Sequence, residues 1–242
     1  MRDALNKTGR PILYQTHSAP NGTVANAWRT GGDLYSSNFD MWTNRLDLAT
    51  TPEQRALAGP GSLPDPDFLE VGYNPRNPKG QTQSELEQRS MFTMWAALPT
   101  GLILSADLRA ASSGVSDPFI METLTNGEVI AVNQDDLVAP MEPLFNASGL
   151  QVWRKPLVPG QGSAPRQAVV FFHRGTNTTG PIPTPPAVEE ISIDWSSLGY
   201  KTGDKVLVRD LWAKTDLGLF EGAFAANVTQ RDARIYTFTL SA

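Results

Sequence analysis

The sequence predicts two segments of different fold class, an α/β segment with a parallel sheet and then an antiparallel β-sandwich. Up to about Leu144, short apolar runs alternate with stretches of helical spacing, which is typical of parallel strands joined by crossover helices. From Gln151 onward, short runs follow one another without helical spacing, and several alternate apolar with polar residues. The change between the two patterns falls near residues 143–148.

Three apolar runs in the first segment are predicted to be strands. Residues 11–14 (PILY) and 25–29 are short candidates, and residues 101–105 (GLILS) form a nearly continuous apolar run. Continuous rather than alternating apolar runs favour strands that are buried on both faces, as in a parallel sheet.

Helical spacing and capping signals predict three helices between these strands. Residues 38–49 place their large apolar side chains on one face. Thr82 and Glu85 have the spacing of a capping box, which predicts the start of a second helix. Asp117 followed by proline predicts an N-cap and a third helix to about Thr125.

The second segment contains six strand-like runs separated by connections rich in Gly, Pro and Asn. Residues 175–186 form the longest of these connections and are predicted to be a single loop. The runs are QVWRKPL, AVVFFHRG, EEISIDW, KVLVRDLW, GAFAANV and ARIYTFTL. We expect the Trp and Phe residues in them to form the core of the sandwich rather than a sugar-stacking surface.

Composition excludes several classes of function. The 242 residues carry a net charge of −5, and Lys and Arg are scattered, so a nucleic-acid partner is not expected. The absence of cysteine excludes disulfides, thiolate metal sites and cysteine nucleophiles. The two histidines, His17 and His173, are far apart in sequence, so neither a histidine-rich metal site nor a cofactor is expected.

Targeting signals are sparse. The chain starts without an apolar stretch, so no signal peptide is expected, and its most apolar window, residues 91–108, is interrupted at residues 99–101. A membrane-spanning helix is therefore not expected. Five Asn-x-Ser/Thr sequons fit an extracytoplasmic protein. They lie at Asn6, Asn21, Asn146, Asn177 and Asn227.

Two acidic corners follow strand candidates. In WRTGGD, Asp33 comes after two glycines and lies four residues beyond Arg29. In GPGSLPDPDFLEVG, prolines stiffen the backbone around Asp65 and Asp67. The first corner is either an ordinary turn with a surface ion pair or part of a site. The second is either a proline-rich turn with solvated aspartates or a rigid loop for sugar hydroxyls or a cation, although EF-hand spacing is absent.

Carboxylates are the remaining candidates for catalysis in a chain with no cysteine and only two histidines. In parallel barrels, functional residues lie at the carboxyl ends of strands, where both corners are predicted to lie. Glycoside hydrolysis uses one carboxyl group to protonate the leaving oxygen and a second to attack the sugar or activate water. The corners therefore favour a glycosidase.

Read in order, the corners and their neighbours resemble glycoside hydrolase family 27, the α-galactosidase and α-N-acetylgalactosaminidase family. The resemblance covers nearly the whole chain and keeps its order. It lies in ALNKTGRPILY, WRTGGD, AGPGSLPDPDFLEVG, MWAALPTGLILSADLR, NGEVIAVNQDDL, FFHRG, IDWSSLG and VRDLWAKTDLGLFEGAF.

This resemblance implies an architecture and roles for site residues. Residues 1–144 would be the C-terminal half of a (β/α)8 TIM barrel, and residues 145–242 an antiparallel β-sandwich domain. In the family, the aspartate matching Asp33 is the general acid/base, and the residues matching Arg29 and Asp67 bind the sugar. Asp65 is expected to brace the loop.

The chain departs from the family pattern at two positions. It starts near the end of what would be the fourth barrel helix, so the family's nucleophilic aspartate has no match. His17 takes the place of the glutamate in the usual Cys-Glu-Trp motif, as either a sugar contact or a strand-end histidine bonded locally. The usual WND is Leu63, Pro64 and Asp65 here.

The resemblance implies a retaining exo-glycosidase of the α-galactosidase type that acts on terminal α-linked galactose-like sugars. This chain would be a fragment without the nucleophile and inactive alone. The alternative is an inactive relative or fragment with a carbohydrate-binding or structural role. The full-length protein would be secreted or lysosomal/vacuolar, with a carbohydrate substrate as its partner; the exact sugar and the oligomeric state stay open.

Overall fold

The computed structural model describes residues 1–17, 25–35, 38–72, 83–106, 118–176, 179 and 182–241. The helices in these ranges are α1 (Arg2–Asn6), α2 (Phe39–Ala49), α3 (Pro52–Leu57), α4 (Glu85–Ala97), α5 (Pro118–Leu124) and α6 (Gly127–Asn133). The first strands are β1 (Gln15–Thr16), β2 (Ala27–Arg29) and β3 (Leu63–Asp65). The later strands are β4 (Glu142–Ala147), β5 (Leu150–Leu157), β6 (Arg166–His173), β7 (Val188–Asp194), β8 (Lys205–Asp210), β9 (Thr215–Glu221), β10 (Ala223–Thr229) and β11 (Ala233–Leu240).

Helix α4 begins with a capping box, but not the predicted one. Ser84 is the N-cap: the Glu87 amide donates to its hydroxyl, and the Ser84 amide donates to the Glu87 carboxylate over 2.7 Å. Glu85, expected to close the box, is the first helical residue instead. The predicted partner Thr82, like the N-cap candidate Asp117 before α5, lies outside the described residues. The Ser-x-x-Glu spacing overlaps the Thr-x-x-Glu spacing, so local sequence alone did not separate them.

Two short helices were not predicted. Helix α3 begins after Thr51, whose side chain accepts from the Gln54 amide, and α6 begins after Asn126, whose side chain accepts from two backbone amides. Both span fewer than eight residues, which is too short for a repeated apolar face to show in the sequence.

The first segment forms a parallel sheet in the order β1-β2-β3, as predicted. Strand β1 starts later than the predicted residues 11–14, because parallel pairing to β2 begins at Gln15 opposite Ala27. The predicted strand over residues 101–105 is paired at one residue among the described ones. Leu104 forms a parallel bridge with Leu69, which follows β3 in the chain.

The second segment is an antiparallel sandwich, as predicted. Six strands form one sheet in the order β4-β5-β6-β11-β8-β9, and β7 pairs with β10 in a separate two-stranded sheet. Strand β6 is buried along almost its whole length, since it lies in the middle of the larger sheet and both faces of that sheet are covered.

Each face of the six-stranded sheet has its own apolar core. On one face, Phe172 packs against Trp42 of α2, and this core extends through α4 and α6. On the other, Phe171 of the larger sheet packs against Phe224 of the two-stranded sheet. The helices of the first segment therefore cover one face of the second segment's sheet.

Polar contacts fix α4 on that sheet. Arg89 makes two hydrogen bonds to the buried Asp232, and the Ser90 hydroxyl donates to the Arg231 carbonyl over 2.7 Å. The indole of Trp212 donates to the Thr93 hydroxyl over 3.0 Å. These contacts join residues that are more than 100 positions apart, so the helical layer and the sheet share one interface.

Candidate active site

The two acidic corners meet at one guanidinium group. The Nη2 atom of Arg29 lies 2.7 Å from Asp67 Oδ2 and 3.2 Å from Asp33 Oδ1, while its Nε lies 3.9 Å from Asp65 Oδ2. Arg29 ends β2 and is paired in register with Asp65, the last residue of β3. Parallel register therefore places Arg29 next to the end of β3, where it reaches Asp67, 38 positions away in the chain.

Asp67 is the most constrained carboxylate of this group. Its Oδ2 accepts from the Leu34 amide over 2.6 Å as well as from Arg29, and its Oδ1 accepts from the Phe68 amide over 2.9 Å. The Asp67 carbonyl accepts from the Trp95 indole over 2.9 Å. Its φ of 91° is unusual for a residue with a side chain, and these bonds hold it there.

Asp65 braces the loop, as expected. Its Oδ1 accepts from the Asp67 amide over 2.9 Å, and its Oδ2 accepts from the side-chain amide of Gln15 on β1. Its carbonyl accepts from the Thr30 amide over 2.9 Å. Asp65 thus links β1, β2 and the second corner into one polar unit.

Asp33 differs from the other two aspartates because its side chain is 73% exposed. Its backbone is nevertheless held in place, since Arg45 of α2 donates to the Gly32 carbonyl over 2.7 Å and to the Asp33 carbonyl over 3.4 Å. Gly31 leaves room for Arg45, because a Cβ there would lie 3.0 Å from Arg45 Cδ. The result is a fixed carboxyl group that is open to solvent.

His17 lies directly after β1 and is exposed. Thr16 pairs with Trp28 in the parallel register, so the next residue on each strand places His17 level with Arg29. His17, the fourth site residue predicted from the sequence, therefore lies at the same edge of the sheet as Arg29, Asp33 and Asp67.

Two residues of this region were missed by sequence reasoning, Gln15 and Glu70. Glu70 is 3% exposed, and its Oε2 is buried without a hydrogen-bond partner among the residues that the structure describes. Burial, together with the negative charge of Asp67, raises the pKa of Glu70 to about 7. A glutamate inside the apolar run FLEV was the available signal, since charged residues are seldom buried without a role.

Among the residues described here, no group of three His, Cys, Asp or Glu side chains is arranged to hold a metal ion. None of the helices in the described ranges has the length and apolar character needed to cross a bilayer.

Two family models match the chain in sequence order. The model of α-galactosidase A matches residues 1–135, and the model of the α-galactosidase C-terminal β-sandwich domain matches residues 147–238. They agree in order with the two predicted segments. The exact division between residues 144 and 145 stays a prediction.

Individual relatives have the same architecture. An α-galactosidase from Oryza sativa subsp. japonica is 34% identical over 99% of this chain and 52% of that protein. A family 27 β-L-arabinopyranosidase structure from Geobacillus stearothermophilus is 25% identical, with a TM-score of 0.78 over 100% of this chain and 52% of that one. An α-galactosidase from Saccharomyces cerevisiae, solved with raffinose, is 20% identical, with a TM-score of 0.76 over 100% of this chain and 67% of that one.

These likenesses confirm the predicted fold class, a partial (β/α)8 barrel followed by an antiparallel β-sandwich. The chain spans about half the length of the rice relative that it matches.

Proposed function

This chain belongs to glycoside hydrolase family 27, the α-galactosidase family, and we propose that it carries the acid/base and sugar-binding part of a retaining exo-glycosidase site. The substrates would be terminal α-linked galactose-like sugars. The observation that carries this proposal is the contact of one Arg29 nitrogen with both Asp33 and Asp67. It puts an exposed carboxyl group beside a buried, tightly bonded one.

In this proposal Asp33 is the general acid/base. An acid that protonates the leaving oxygen of a glycoside must reach the substrate, and Asp33 is the most exposed of the three aspartates at Arg29. Its fixed backbone would hold the carboxyl group at one place relative to the sugar. That fixed geometry is what makes proton transfer efficient.

Arg29 and Asp67 would hold the sugar hydroxyls. Both oxygens of Asp67 already accept hydrogen bonds, and its side chain is only 5% exposed, so it is poorly placed to attack an anomeric carbon. A carboxylate with fixed donors still has lone pairs free for a hydroxyl group. His17 would meet the sugar where the family usually has a glutamate, and it would replace an acceptor-only contact with an imidazole.

We also propose that these 242 residues do not hydrolyse α-galactosides by themselves. A retaining mechanism needs a second carboxylate about 5–5.5 Å from the acid. No residue of this chain matches the family's nucleophile, and the aspartates beside Asp33 are committed to bonds within the loop. The chain would therefore bind the sugar without turning it over.

The test compares this chain with a chimera in which the N-terminal half of the rice relative precedes residue 1. Both are assayed on an aryl α-galactoside and on an aryl β-L-arabinopyranoside, and D-galactose binding is measured by calorimetry. We expect turnover only by the chimera. Asp33→Asn should lower its rate about 10²–10⁴-fold and leave galactose affinity nearly unchanged.

Asp40→Asn is the matched control, because Asp40 is an exposed aspartate on α2. Turnover by this chain alone, abolished by Asp33→Asn, would show that a carboxylate within these residues acts as the nucleophile. A chimera that binds galactose but stays inactive would instead favour the alternative, a carbohydrate-binding or structural role.

We further propose that the full-length protein is a glycoprotein of the secretory or lysosomal/vacuolar route. Three sequon asparagines lie in the described residues, and Asn6, Asn146 and Asn227 are all exposed. Expression in a secreting eukaryotic cell, with and without an N-glycanase, would test their occupancy by a change in mass.

A further inference from the structure

Glu70 lies on the same side of the parallel sheet as the Arg29 group. Leu69 and Val71 pack into the core under the helices, so by strand alternation Glu70 faces the opposite side. Trp28 likewise points toward α3, where its indole donates to Gln54, so the next residue, Arg29, also faces that opposite side. The buried carboxyl group therefore belongs to the face that carries the proposed sugar site.

The charges on this face do not balance. Arg29 forms ion pairs with Asp33, Asp65 and Asp67, and no ion pair involves Glu70 among the described residues. Arg45, the other cation at the corner, donates to backbone carbonyls and to the Asn44 side chain.

The other described residues next to Glu70 supply no counter-charge. Residues 101–105, the segment bridged to Leu69, contain no ionisable side chain. Among the described residues, Asp67 is the charge that acts appreciably on the Glu70 carboxyl, and its effect is repulsive. The neutral acid is therefore the form that this surrounding favours below about pH 7.

We propose that Glu70 is a positioning residue of the sugar site. As a neutral acid it leaves Arg29 bonded to Asp67, and when it ionises it disturbs that pair. The sugar-binding part of this inference rests on the proposed function; the effect on Asp67 does not. An ionised Glu70 would add a second negative charge near Asp67 and compete for the guanidinium, whose Nε is buried without a hydrogen bond to any described residue. The hydroxyl-binding geometry of Asp67 would then be lost.

The Trp95 indole reports on Asp67 without any ligand, because it donates to the Asp67 carbonyl. The experiment follows the Trp95 indole ¹H–¹⁵N resonance of the full 242-residue chain from pH 5 to pH 9. We expect it to titrate with a midpoint near 7 in the natural chain. It should be flat in Glu70→Gln, which keeps the shape of the side chain but cannot ionise.

Glu85→Gln, at an exposed position on α4, is the matched control and should leave the titration unchanged. The comparison with Glu70→Gln, rather than the pH profile alone, decides the result. A Trp95 resonance that does not titrate, or one that still titrates in Glu70→Gln, would overturn the proposal.

Calorimetry with D-galactose on the same proteins separates the two proposals. We expect affinity to fall about tenfold between pH 5.5 and pH 8.5 in the natural chain, which corresponds to about 1.4 kcal/mol. In Glu70→Gln we expect affinity to change much less over the same range. A Trp95 titration without any galactose binding would contradict the proposed function but support the positioning role. Galactose binding with the same pH dependence in both proteins would contradict the positioning role alone.

Discussion

The two sheets of this molecule differ in how they are held together. The parallel sheet has three strands of two or three residues, and on its site-bearing side Phe68 is 48% exposed and Ile103 is 52% exposed. The six-stranded antiparallel sheet has strands of six to eight residues, with an apolar core on each face. Apolar packing is thus concentrated in the second sheet, whereas the candidate site lies on the first.

Polar contacts take the place of packing around the parallel sheet. Asp65 and Asp67 accept hydrogen bonds from backbone amides and from Gln15, Arg29 and Trp95. Such bonds are directional and hold side chains at set angles, whereas apolar burial is not directional. We infer that the antiparallel sheet supplies most of the stability and that the parallel sheet supplies precise geometry. Substitutions in each region can break or sharpen this contrast.

The largest effect is expected from Phe172→Ala in the centre of the antiparallel sheet. Phe172 is fully buried and lies within 6.0 Å of the rings of Phe39 and Trp42, so its removal leaves a cavity between the helices and the sheet. We expect the free energy of unfolding to fall by about 3–5 kcal/mol. Urea denaturation measures the change.

Phe145→Ala is the matched control, because Phe145 on β4 is 43% exposed. We expect it to cost less than about 1 kcal/mol. Equal losses for the two variants would mean that the sheet is not the main source of stability.

The second effect has the opposite sign. Lys155 on β5 is 1% exposed, and its Nζ has no hydrogen-bond partner in the described part of the chain. Burial lowers the pKa of Lys155 to about 8, although the negative charge of Asp135 opposes this shift. Lys155→Met should therefore stabilise the chain by about 1–3 kcal/mol at pH 7.

The stabilisation expected from Lys155→Met depends on pH. The unfolded chain keeps the Lys155 proton up to its ordinary pKa of 10.5, while the folded chain releases it near pH 8. The penalty is therefore complete below pH 8 and disappears as pH rises toward 10.5. Denaturation of Lys155→Met at pH 7 and pH 10 should show the gain shrinking. Lys205→Met, at an exposed lysine on β8, should show no such trend.

The smallest effect is expected at the site corner. In Gly31→Ala the new Cβ would lie 2.9 Å from Leu48 Cδ1 and 3.0 Å from Arg45 Cδ, so these flexible side chains must shift. We expect a loss of about 1 kcal/mol in stability. In the chimera assay, catalytic rate should fall more than stability suggests, because Arg45 holds the carbonyls before and at Asp33.

Gly101→Ala serves for comparison, since its Cβ would meet Ile103 no closer than 3.6 Å. We expect it to change neither stability nor rate appreciably. A Gly31→Ala chimera with full activity would show that the corner tolerates movement, which would contradict the inference that the parallel sheet supplies precise geometry.

Much of the local structure was predictable because its signals lie close together in the chain. The spacing of Phe39, Trp42, Leu46 and Ala49 predicted α2, and all four residues are buried. Helices α3 and α6 were missed because each makes fewer than two full turns. The exact start of α4 was not predicted, because two capping signals overlap in the sequence and Ser84, not Thr82, precedes the first helical residue.

Other features depended on packing between distant elements. The continuous apolar run AVVFFH in β6 is typical of a strand buried on both faces, but it did not show that helices of the first segment cover one of those faces. In the site, the resemblance named Asp33, Arg29 and Asp67, whereas Gln15 and Glu70 entered only through strand register and burial. The roles of all these site residues, and that of His17, remain proposals.

The sequence by itself determined the two fold classes, three of the six described helices, the acidic corners and the family. These depend on spacings within one helical turn, one strand or one loop, which the order of residues contains directly. Only the tertiary structure decided that Arg29 meets a carboxylate 38 positions away, and that Glu70 is buried with its Oε2 unpartnered among the described residues. Register between strands sets those distances, and the loss of water around a charge sets its ionisation; neither quantity can be read from neighbouring residues.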